Sequence, residues 1–140
     1  MKRVVLVCIL FFLLSVTGCS VFGGYEYEEL TKNLEEVVLV ERYYTFRQYE
    51  VTEIKTISNK EVVLEFAEEL CGLPIASHWF GSPPSMQGKA FKLVYFDGSY
   101  DLIGDRYIIF YNSEEDHSKS MYDGLSWRDV DILIEKYFSE

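Results

Sequence analysis

Few side chains in this sequence are equipped for chemistry, and their spacing decides which kind. Cysteines stand at positions 8, 19 and 71, and His78 and His117 are the two histidines in 140 residues. A thiolate is a strong nucleophile, but Cys71 closes an amphipathic stretch, away from the positive helix start that would activate it. No Gly-x-Ser-x-Gly turn presents a serine for nucleophilic attack. His117 follows Glu114-Glu115-Asp116 and brings one ligand nitrogen, where a metal needs three or four converging groups; a solvated loop is the expectation there. Asp97, Ser99, Asp101 and Asp105 have the odd spacing of a calcium loop, whose sixth position must be glycine and twelfth a carboxylate. Leu102 and Ile108 occupy those places, so the acidic residues are expected in turns. The sequence therefore nominates no catalytic residue, no metal ligand set and no cofactor.

Cys19 is different, because the residues before it define its chemistry. Lys2 and Arg3 open the chain, Val4 to Val16 is apolar except for Ser15, and Thr17-Gly18 precede the cysteine. A bilayer core requires roughly 20 helical residues, so this run is too short for a permanent span. A basic start, a short apolar middle and a small-residue end form an export signal that is removed.

Val16-Thr17-Gly18-Cys19 resembles the lipobox of bacterial membrane lipoproteins, with valine where leucine is usual. The resemblance covers residues 1–19 alone. It implies a diacylglyceryl group on the Cys19 sulfur, cleavage just before that residue, and a palmitate-type chain where the new amine is also acylated. One fatty chain holds a protein marginally, at about 0.8 kcal/mol per buried methylene, whereas two or three hold it firmly. The expected products are a signal peptide over 1–18 and a lipidated cysteine with a short tether over 19–24. A single domain over 25–140 follows, outside the membrane, on the outer membrane where the host has two. Extended, Ser20 to Gly24 reach at most ~17 Å, so the domain is expected to work near the bilayer.

Cleavage changes the charge. The 13 basic residues less Lys2 and Arg3 leave 11, against 23 acidic ones, a balance of −12. Phosphate affinity comes from Lys and Arg, so nucleic acid is an unsuitable partner, and an anionic membrane surface is a poor one for the domain itself. Cys71, left without an intramolecular partner, is expected to serve as a small buried hydrophobe; an intermolecular disulfide is the alternative.

The elements follow from periodicity. Ile57-Ser58-Asn59-Lys60-Glu61-Val62 reads as a capping box, with Ser58 as N-cap, Glu61 at N3, and Ile57 and Val62 as a hydrophobic staple. Val62, Val63, Phe66, Ala67 and Leu70 then mark one helix face, which Gly72 and Pro74 end. Leu125-Ser126-Trp127-Arg128-Asp129-Val130 repeats the device, with Val130, Leu133, Ile134 and Tyr137 facing inward. A third helix is expected over Tyr25 to Leu34. Strand-forming residues dominate Val37 to Phe46 and Tyr49 to Ile57, an expected hairpin, and then Phe91 to Phe96, Ser99 to Ile103 and Arg106 to Tyr111. Asp97-Gly98 suits a type I′ turn, and Gly104-Asp105 the next. The expected fold is α+β: a largely antiparallel five-stranded sheet with two or three helices packed on it, in the order α-β-β-α-β-β-β-α.

The long loop from Leu73 to Lys89 carries His78, Trp79 and Phe80 beside glycine and proline. Loops of this length are functional sites more often than short ones, and its aromatics suit a sugar ring or a partner's groove. The competing expectation is that they fold back onto the core. Three functions fit the sequence. The first is a non-enzymatic binding or accessory lipoprotein of the cell envelope, with an envelope protein or glycan as partner. The second is a small envelope hydrolase whose site assembles only in the fold. The third is an acidic inhibitor or immunity-type protein acting on a basic target.

Overall fold

Two runs of β-branched and aromatic residues pair first, and the rest of the sheet grows from them. The computed structural model describes residues 27–74, 76–77, 85–111, 119–121 and 123–139. Helix α1 (Tyr27–Asn33) leads into β1 (Leu34–Thr45) and its hairpin partner β2 (Gln48–Ile57), followed by α2 (Lys60–Gly72). Next come a short β3 (Ala76–Ser77), the meander β4 (Gly88–Tyr95), β5 (Tyr100–Gly104) and β6 (Tyr107–Tyr111), two short strands β7 (Lys119–Met121) and β8 (Asp123–Gly124), and α3 (Trp127–Phe138). The main sheet runs β2-β1-β4-β5-β6-β7, antiparallel throughout, and β3 pairs with β8 apart from it. The α+β class, the antiparallel five-strand core, its three helices and their order are thus as the sequence implies. The three-residue β7 widens that sheet by one strand. No helix among the described residues is long and apolar enough to cross a membrane.

The helices share one face of the sheet. Val63, Phe66, Ala67 and Leu70 of α2 and Val130, Leu133 and Phe138 of α3 are buried against Val37, Leu39, Phe91, Leu93, Ile103 and Ile108, with Leu30 of α1 beside them. Apart from Ala67, each such side chain contributes about 1.5–3 kcal/mol by leaving water. Edge-to-face contacts of Phe66 with Phe91 and Tyr137 fix the rings at the centre. Cys71 packs half-buried at the margin of this core, where burial pushes its thiol pKa up and makes it a poor nucleophile. A second cluster, Val38, Val40, Ala90, Leu102, Tyr107 and Ile109, occupies the opposite sheet face.

Local details depart from the sequence reading at the helix ends and turns. Asn59, not Ser58, caps α2: its Oδ1 accepts from the amides of Glu61 at 3.0 Å and Val62 at 3.3 Å. The amide side chain one residue nearer the helix satisfies two of its orphan donors, so Ser58 is left outside and the Ile57–Val62 staple loses its register. Gly72 is the last helical residue rather than a left-handed cap, and Leu73 takes the C-cap in extended conformation. At α3 the sequence reading holds. Ser126 Oγ accepts from the Asp129 amide and donates to its carboxylate at 2.6 Å, and Leu125 and Val130 are both buried.

Asp97-Gly98 does not form a type I′ turn. Gly98 N donates to Tyr95 O at 2.9 Å, and only Gly98 has positive φ. That is a three-residue hairpin loop with its glycine in the left-handed place. Gly104 lies in β5, and the turn it was expected to open falls on Asp105 and Arg106, with Arg106 at φ 60°.

Candidate functional site

Among the described residues, the first hairpin carries a long run of exposed side chains. β1 pairs with β4 from Leu34 only as far as Arg42, opposite Gly88. Beyond that point the rungs Tyr43–Glu50, Tyr44–Tyr49 and Thr45–Gln48 pair only with each other. β2 is an edge strand, and its side chains from Gln48 to Ile54 are exposed apart from half-buried Glu50. Both pleat faces of this arm therefore meet solvent. Of the nine large hydrophobic residues exposed among the described residues, six lie here: Tyr43, Tyr44, Phe46, Tyr49, Val51 and Ile54.

The arm is stiffened by its own side chains. Tyr44 and Tyr49 meet edge-to-face at 5.0 Å. Thr45 Oγ1 donates to Glu50 Oε1 at 2.5 Å, and this bond holds the Glu50 carboxyl below the usual range. At the base, Arg42 is 5 % exposed and places its guanidinium 3.6 Å over the Tyr49 ring. Its Nη1 donates to Met86 O at 2.7 Å, and Tyr49 OH donates to Ser85 O at 3.2 Å.

The turn that closes the arm carries two further anomalies. Phe46 and Arg47 occupy it with φ 44° and 75°, the pair of left-handed residues that defines a type I′ turn and ordinarily selects Asn-Gly. A branched or bulky residue in that region costs on the order of 1–2 kcal/mol. Phe46 is also 99 % exposed, and Arg47 has no ion pair among the described residues. Strain, full apolar exposure and an unpaired cation thus coincide on two adjacent residues. Such outliers concentrate where structure is kept for function.

Comparison with family models, curated proteins and solved structures gives no match for this chain. Its function must be argued from its own side chains.

The residues singled out in the sequence are distributed unevenly around this arm. Cys19 and the trio His78, Trp79 and Phe80 lie outside the described residues, as does Glu114 to His117. The ends of the trio's loop are visible. Ala76–Ser77 pair with Gly124–Asp123, and Ser85 and Met86 are held by Tyr49 and Arg42. Ser85 and Met86, which follow the trio in the chain, thus sit at the base of the hairpin arm. The acidic run after β4 is spent on structure. Asp97 accepts from the Ser99 amide and hydroxyl, and this pair lowers its carboxyl pKa; buried Asp101 accepts from Tyr95 OH at 2.7 Å. Among the described residues no three His, Cys, Asp or Glu side chains converge as a metal site would require.

Sequence reasoning missed the arm as a site. The signal was the string Tyr43-Tyr44-Thr45-Phe46-Arg47-Gln48-Tyr49, where aromatic residues run straight through the position of a turn. In a covered strand these residue types are core, and nothing in the spacing says that this strand lies at an edge.

Proposed function

We propose that this chain is a lipid-anchored lipoprotein of the cell envelope, tethered through Cys19, and that its domain is a non-enzymatic binding module. One observation carries the binding part: among the described residues, six of nine exposed large hydrophobic residues are gathered on the first hairpin. Large apolar side chains exposed together on one element mark an interaction site. The residue types agree, since tyrosine, phenylalanine and arginine are enriched where proteins bind and lysine is depleted. The anchor rests on the lipobox-like sequence and on the short apolar run before it.

Two experiments test the proposal. Cells fed an alkyne fatty acid should label the wild-type protein and leave it in the membrane fraction, while Cys19→Ser is unlabelled and soluble. Equal fractionation of both proteins removes the anchor. For the domain, turnover of an envelope substrate by the purified mature protein, abolished by one side-chain change, would replace the binding module with an enzyme.

A further inference from the structure

We infer that the tip of the β1–β2 hairpin is a plug: Phe46 inserts into an apolar pocket on a folded envelope protein, and Arg47 pairs with a carboxylate at the rim of that pocket. This rests on the binding function proposed above and specifies its partner. The shape of the tip comes first. A phenylalanine with 99 % of its surface free touches almost nothing of its own chain, so it stands at a convex apex and its complement is concave. Phenylalanine has no polar handle, unlike tyrosine or tryptophan, and gains affinity only by full desolvation. Glycan chains offer flat or convex faces to aromatic platforms, whereas concave apolar pockets are built by folded proteins.

Charge selects the rim. The chain carries a balance of −10, yet the apex residue beside Phe46 is a cation with no ion pair among the described residues. A guanidinium at the edge of a desolvated contact is best matched by a carboxylate, which it can grip with two hydrogen bonds. The arm is also prepared for docking. The Tyr44–Tyr49 contact, the Thr45–Glu50 hydrogen bond and Arg42 over Tyr49 order it before any partner arrives, so little entropy remains to be lost.

Reach argues against the anchoring bilayer as the occupant. β1 has 12 residues and spans about 37 Å at the rise of a strand, with α1 at one end and the tip at the other. The seven residues of α1 bring Tyr27 at most about 10 Å back along it. Cys19 to Tyr27 extends about 29 Å when fully drawn out. The tip meets the bilayer only with that segment pulled almost straight towards it. In other arrangements it is held away from the membrane and towards other envelope proteins.

The test uses the full chain in its own cells, with p-benzoylphenylalanine replacing Phe46, Ile54, Phe96 or Ile132 in turn. The expected result is one discrete protein adduct from position 46, with little from 96 and 132. The captured protein, purified, should bind the mature chain, and Phe46→Ala should weaken that binding on the order of 30-fold or more. Arg47→Glu should weaken it too, with recovery when the partner's rim carboxylate is changed to lysine. Phe46→Asn with Arg47→Gly, which suits the turn better than the native pair, should fold at least as stably and fail to bind. Adducts from 54, 96 or 132 with none from 46, a lipid adduct at 46, or binding indifferent to Phe46→Ala would overturn the plug while leaving a binding protein. No adduct from any of the four positions would overturn the binding function as well.

Discussion

Arg42 lies with its guanidinium 3.6 Å over the ring of Tyr49, and the two side chains together hold the backbone of Met86 and Ser85. The cation is buried with no carboxylate in the described ion pairs, and its Nε has no hydrogen-bond partner among the described residues. Among the described residues its partners are the Tyr49 ring, the Tyr107 ring at 5.8 Å and one carbonyl. A desolvated cation–π pair contributes about 2 kcal/mol. A double-mutant cycle with Arg42→Met and Tyr49→Leu, read by urea unfolding, should give a coupling of about 1–2 kcal/mol. Strict additivity would show that the stacking carries no energy.

The cap of α2 offers a direct comparison of neighbouring residues. Asn59 Oδ1 accepts two amide hydrogens, and Ser58 makes no capping bond. Asn59→Ala should cost about 1 kcal/mol in thermal or urea unfolding, and Ser58→Ala close to nothing. The opposite ranking would restore the capping box at Ser58.

These two regions show what was legible in the sequence. Runs of β-branched and aromatic residues at Val37 and Tyr49, alternation at Phe91, and period-3.6 runs at Val62 and Val130 carry enough signal to set the hairpin, the meander and two helices. The same signal cannot say which Asx or Ser residue of a Ser58-Asn59 pair faces the helix, because both side chains can cap. Turn type was equally hidden. Asp97-Gly98 has the residues for a type I′ turn and takes another, while Phe46-Arg47 has the wrong residues and takes it. Exposure on β2 was invisible because strand propensity reports residue type, and only the sheet order places Tyr49, Val51 and Ile54 at an edge.

Two glycines are required by Tyr107. A Cβ at Gly104 would strike the Tyr107 ring, and one at Gly124 would strike the Tyr107 backbone and the Gly104 carbonyl. A ring can swing aside, but paired backbone cannot. Gly124→Ala should thus cost about 3 kcal/mol, at the upper end of overpacking, and Gly104→Ala less. Adding Tyr107→Leu should recover stability in the Gly104 variant and not in the Gly124 variant, measured as urea midpoints.

Alkaline and acid limits of stability follow from separate groups. Tyr107 is buried with its hydroxyl unpartnered among the described residues, and burial pushes its pKa up to about 12. The unfolded chain therefore loses this proton first, so the contribution is intact below pH about 10 and lost as pH climbs through 12. Tyr107→Phe should be as stable as wild type or about 1 kcal/mol more so at pH 7, and should resist alkali better. Glu69 behaves oppositely. Its hydrogen bond from Lys136, at 2.6 Å, holds its carboxyl below the usual range, so that contribution is present above about 4.3 and lost as pH falls through the folded value. Lys136→Met should return the Glu69 titration, followed by carboxyl NMR, to the ordinary range. The pair is open to solvent on one side, so its loss should change stability little.

The strained turn makes the last prediction, and it separates folding from function. Phe46 and Arg47 hold left-handed conformations that Asn and Gly adopt with far less penalty, and full exposure means Phe46 gains no burial in return. Replacing the pair with Asn-Gly removes steric cost and exposed apolar area without disturbing the rungs at Thr45–Gln48 and Tyr44–Tyr49. Stability should rise by about 1–2 kcal/mol, measured by urea unfolding with unchanged slope. A domain that discards this gain at its most exposed point is retaining those side chains for something other than folding. If the Asn-Gly variant is instead less stable, the native pair contributes to the fold, and the strain ceases to point to binding.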